Sequence, residues 1–196
     1  MFGFHSQKKD SEFAEGLAAT ALVFSGDEDA GNLMVLISAP SEEGFHFSVS
    51  ALNFYLASLA VHSSLSISKD RKQFILDTML SFFTGKLKKY EDNFSVRDAI
   101  REKDELDYVR RKWGDEDWET NMHSLVSTFF DKRINDFRKA TERYPKNPVA
   151  AIGATFYVHV HGGNNSDAAV SQGATHAFIE STFDAISYAC KSEGPR

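Results

Sequence analysis

A chain of 196 residues with 42% hydrophobic and 26% charged side chains can build one ordinary core, which excludes a disordered or fibrous protein and removes the need for a disulfide or metal to hold the fold. A net charge of -6 and a pI of about 5.6 repel phosphate backbones and anionic lipid, so nucleic acid is disfavoured as a partner. One cysteine, Cys190, excludes an intrachain disulfide and suits a reducing compartment.

The opening residues MFGFHSQKKDSEF lack the apolar run of a secretory signal. The longest hydrophobic stretch, residues 51 to 61, is interrupted by Asn53 and Ser58 and falls short of the roughly 18 residues that cross a bilayer. The expectation is a cytoplasmic protein without a membrane segment, folded as one domain over residues 1–196. Only 4 prolines and no fixed repeat break the chain, and 17 Phe against 2 Trp and 6 Tyr point to an aromatic-rich core.

In chain order, Ser11 followed by Glu12 and Phe13 reads as a helix start, with Phe13, Leu17, Thr20, Ala21 and Phe24 at helical spacing before Ser25-Gly26. Residues 33–38 and 45–50 are where a strand competes. Phe45, Phe47 and Val49 alternate with His46, Ser48 and Ser50, so a short β-hairpin over residues 32–50 and a helical reading stand as open alternatives. Ser50 to His62 is apolar most of the way round, the pattern of a helix surrounded by others. Lys69 to Tyr90 gives an amphipathic helix bearing Ile75, Met79, Phe82, Phe83 and Leu87.

Ser95 and Asp98 resemble a capping box, and a helix from Asp104 places acids in its first turn and Arg110, Arg111 and Lys112 in its last, matching the helix dipole. That gives the basic triplet a structural origin, and the run at Lys86, Lys88 and Lys89 likewise reads as a solvated face. A long helix from about Asp115 to Tyr144 ends at YPKNP, Asn147-Pro148 starts another to His161, and Asp167 to Cys190 forms the last. The fold class expected is mainly α, a single-domain bundle of about six to eight helices.

Two pairs of acid and imidazole stand one turn apart: Glu119 with His123, beside the stripe of Met122, Val126 and Phe129, and His176 with Glu180. Such pairs on facing helices can ligate one metal, or the carboxylate can orient the imidazole for acid–base work. These four are the candidate metal ligands. His159 and His161 are candidate ligand-binding residues. They share a face only in a strand, since a helix sets them about 200° apart. On the last helix Ala169, Gly173, Ala177, Ser181, Ala185 and Ala189 recur every four residues, a ridge that permits close approach of another helix, read first as an intrachain contact and second as a dimer seam.

Nucleotide-binding loops, the nucleophile elbow, Cys-x-x-Cys and His-Glu-x-x-His are all missing from the sequence. The function expected is therefore a protein-interaction or regulatory module with a protein partner or homodimer. The alternative is a helical bundle that binds a metal or apolar ligand through its Glu/His pairs. Whether the chain is an enzyme, and with what cofactor, stays open.

Overall fold

A computed structural model describes residues 2–23, 28–40, 42–87, 122–161 and 168–195. Within them the chain forms seven helices and no strand: α1 (Phe2–Val23), α2 (Glu28–Leu36), α3 (Glu42–Ser64), α4 (Lys69–Leu87), α5 (Met122–Arg143), α6 (Pro148–His161) and α7 (Ala168–Glu193). The readings at Ser95 and Asp104, and the start expected at Asp115, lie outside the described residues.

Helix α3 is the hub, packed against all six others. It is long and apolar enough on average to cross a membrane, yet most of it is buried inside the bundle, as a core helix must be. This envelopment explains why residues 45–50 are helical despite their strand-like alternation. Phe45 and Phe47 project about 200° apart on a helix, and both are buried because each side of α3 has a neighbour. Phe45 meets Phe156 of α6 edge-on at 6.0 Å, and Phe47 meets Phe130 of α5 at 6.0 Å. The serines that follow them donate back to the carbonyls one turn earlier, Ser48 to Gly44 at 2.7 Å and Ser50 to His46 at 2.8 Å. The hairpin alternative therefore gives way to helix.

On the other faces of α3, Phe54 joins Phe83 of α4 at 5.3 Å and Phe130 at 5.7 Å. Tyr55 stacks on Phe137 at 5.7 Å while its hydroxyl reaches Thr141 Oγ1 at 2.6 Å. Asn53, fully buried, donates to the Ala21 carbonyl of α1 at 3.0 Å. The aromatic core expected from composition thus knits α3, α4, α5 and α6 together.

Helix α1 begins at Phe2, well before the start expected at Ser11. Its buried stripe is Asp10, Ala14, Leu17, Ala18 and Ala21, spaced as one helical face. Asp10 can hold a core position because Arg71 of α4 clamps it at 2.7 and 2.8 Å. Asp10, one residue before the start expected at Ser11, is thus part of the helix's buried face.

Helix α2 resolves the LMVLIS run as the end of a short helix. It stops in a Schellman motif: the Ser38 N–H donates to Val35 O and the Ala39 N–H to Met34 O, both at 3.0 Å, with Ser38 at φ 51°. Helix α6 starts where expected, the Ala151 N–H reaching the Asn147 carbonyl at 3.1 Å. Where α6 crosses α7, a Cβ on Gly153 would stand 3.1 Å from the His176 ring, so this glycine supplies the close approach.

The small-residue ridge does not. Gly173, Ala177, Ser181 and Ala185 are exposed and Ala189 is half-buried. The core face of α7 is instead Thr175, Ile179, Thr182, Ile186 and Cys190. Larger apolar side chains remove more area from water than alanines do, so they set which face turns inward.

Candidate functional site

Of the residues singled out from sequence, Glu119 lies outside the described residues, as does the side chain of His123 within α5. On α7, His176 is half-buried against Gly153 and Glu180 is exposed. No three His, Cys, Asp or Glu side chains among the described residues gather as metal ligands would. His159 and His161 are separated by the helix, as that geometry requires: His161 stacks on Tyr157 at 4.1 Å, while His159 is buried toward α5.

His159 belongs to a polar cluster between α5 and α6 that was not anticipated. Its Nε2 lies 3.4 Å from Asp136 Oδ2, and the same oxygen accepts from Lys132 Nζ at 2.9 Å. The His159 ring packs edge-on against Phe137 at 5.1 Å. One turn before Phe137, Arg133 is almost wholly buried, donating to Ser48 Oγ at 2.5 Å with its guanidinium 4.8 Å over the Phe47 ring. Burial pushes the His159 imidazole down to about 4; the Asp136 carboxylate favours the charged ring, but nearby Arg133 and Lys132 reinforce the downward shift. Burial also opposes the Asp136 charge, yet the His159 hydrogen bond and the Lys132 ammonium outweigh it and hold that carboxyl at about 2.

At neutral pH the ring is therefore uncharged, with Nε2–H donating to the carboxylate. Its Nδ1 has no hydrogen-bond partner among the described residues, while Asp136 is tied to Lys132 as well as to the ring. Burial also pushes the Cys190 thiol up to about 11, which keeps it protonated and poorly nucleophilic. Arg133, Asp136 and His159 orient α5 against α3 and α6. The signals that could have found them are a cation, Arg133, set between Phe129 and Phe137 in one apolar stripe, and the Lys132–Asp136 pair one turn apart.

The accessible feature is a half-open groove of about 290 Å³ between α2 and α7. Its apolar walls are Leu33 and Leu36 from α2 and Ala174, Ala177 and Phe178 from α7, with Asp29 and Ser181 at its polar margin. Leu33, Leu36 and Asp29 fall on one side of α2 because they are spaced by three, four and seven residues. At the lip, Leu36, which lines the groove, is 65% exposed, and Val35, next to it in sequence but outside the lining, is 73% exposed. Farther along the exposed face of α7, Tyr188 is 73% exposed. Two residues of the small-residue ridge, Ala177 and Ser181, thus line a groove open to solvent.

The fold and groove define an all-α bundle of seven described helices organised around a buried central helix, with an apolar cleft at its surface. No family model, no curated protein and no solved structure matches this chain.

Proposed function

We propose that this protein is an interaction module that receives a segment of a partner protein in the groove between α2 and α7. The observation that carries the reading is the apolar lip. Side chains the size of Val35 and Leu36 are left in water beside an apolar cleft, at a cost of about 25 cal/mol for each Å² that a partner could cover. Helix α2 ends in a Schellman motif, so its last turn is ordered by its own backbone before a partner arrives. The small side chains of Ala177 and Ser181 leave room for the large anchoring side chain of a partner, the usual arrangement at the energetic centre of an interface.

A photoreactive phenylalanine analogue at Val35 tests the reading in the full-length protein. It should give a discrete covalent adduct with one cellular protein, while the same probe at Glu12, exposed on α1, gives none. The adduct should fade in an Ala177→Leu background. Equal adducts at both positions, or an adduct unaffected by Ala177→Leu, would remove the groove from the account.

A further inference from the structure

We infer that the segment received by the α2–α7 groove is an amphipathic helix flanked by basic residues. This rests on the interaction reading above and adds to it from an independent observation, the distribution of charge along the chain.

Neither residues 10–68 nor residues 147–190 contain a Lys or Arg, whereas residues 10–68 carry 8 acids. Both helices of the groove come from these stretches. Helix α2 has Glu28 and Asp29, both exposed, and no basic residue; helix α7 has none before Lys191. Asp29 lines the groove, and Asp184 is exposed one turn beyond Ser181. Arg71 of α4 is clamped to Asp10, and Lys132 is held by Asp136. Among the described residues, Asp29 is thus the one charged side chain that lines the groove, over a floor of Leu33, Leu36 and Phe178, and the other exposed charges at positions 28–36 and 173–190 of its two helices, Glu28, Glu180 and Asp184 among them, are acids too.

An apolar floor with acidic margins complements a helix whose apolar side chains recur at i, i+3, i+4 and i+7 between Lys or Arg flanks. Charge complementarity of this kind speeds encounter and rejects acidic competitors. The nine residues of α2 span about 13 Å, enough to grip two to three turns of such a helix. A second copy of this chain is the lesser occupant. Its basic residues lie chiefly in 69–146, so pairing them with the groove would be head-to-tail and would leave open ends.

The test uses the full-length protein and three synthetic helical peptides of about 18 residues, roughly 27 Å long. They share one leucine stripe and carry Lys, Gln or Glu on the flanks, and binding is read by fluorescence anisotropy. The Lys peptide should bind at least about tenfold tighter than the Glu peptide at low salt, the gap closing near ~0.5 M salt. Glu28→Gln with Asp29→Asn should shrink the gap, and Ala177→Leu should weaken binding of the Lys and Gln peptides alike. Equal affinity for all three peptides, lost in Ala177→Leu, would overturn the basic flanks while leaving the interaction reading intact. Lys-peptide binding insensitive to Ala177→Leu would overturn the inference as diffuse charge attraction. So would an absence of binding by every peptide, or salt-sensitive self-association in sedimentation that Ala177→Leu abolishes. Failure of the Val35 adduct is the separate sign that the interaction reading itself has failed.

Discussion

His159 and Asp10 show how single buried polar residues set the conditions under which this bundle is stable. His159 is held near 4 against an ordinary value of 6.5, so the unfolded chain binds a proton more readily than the folded one between those limits. Stability from this group is fully present above about pH 6.5 and is lost as pH falls toward 4, a loss on the order of 3 kcal/mol. Asp136, lowered from 3.8 to about 2, adds a loss of the same sign below pH 4. Denaturant titrations from pH 7 to 4 should show the decline in the native sequence and a flatter profile in His159→Gln; equal slopes would contradict the buried neutral ring. Asp10 is almost fully buried with Arg71 as its clamp. Removing one partner leaves a charge out of water, so Arg71→Met should cost about 2–4 kcal/mol in chemical denaturation. A change below about 0.5 kcal/mol, the usual range for surface sites, would mean that Asp10 is solvated.

Helix α2 carries the main lesson about elements. Ser38 adopts a left-handed φ of 51° to close the Schellman motif, a conformation that glycine enters without steric cost. Ser38→Gly should therefore stabilise the fold by about 0.5–1 kcal/mol, read as a higher denaturation midpoint; destabilisation would place the cap elsewhere. This cap was hidden in the sequence because serine is not the residue that usually signals it. The all-α bundle was legible, since α4, α6 and α7 follow from periodicity and from the Asn147-Pro148 start. The hairpin alternative at 45–50 survived because period-2 alternation also fits a helix buried on every side, and only the neighbours of Phe45 and Phe47 decide between them. Of the candidate site, His159 was legible as a residue but its partner Asp136 was not: the pair is joined by the packing of α5 on α6. The ridge on α7 was visible as a pattern, but its direction depended on the competing stripe through Ile179 and Ile186.

The whole molecule joins a buried aromatic centre to a surface with segregated charge. The cations concentrate in the middle of the chain, while the helices of the groove bring acids and apolar side chains. Because Ala177 is exposed in the groove, Ala177→Leu should leave folding stability within about 0.5 kcal/mol of the native value; a thermal shift of many degrees would restore the ridge to an intrachain contact. Hydrogen exchange on the full-length protein, alone and saturated with the Lys-flanked peptide, would locate the partner on the α2–α7 groove. Added protection is expected in 28–39 and along the exposed face of α7 from 173 to 185, with α4 unchanged. Protection centred on α4 or α5, with α2 unaffected, would contradict it.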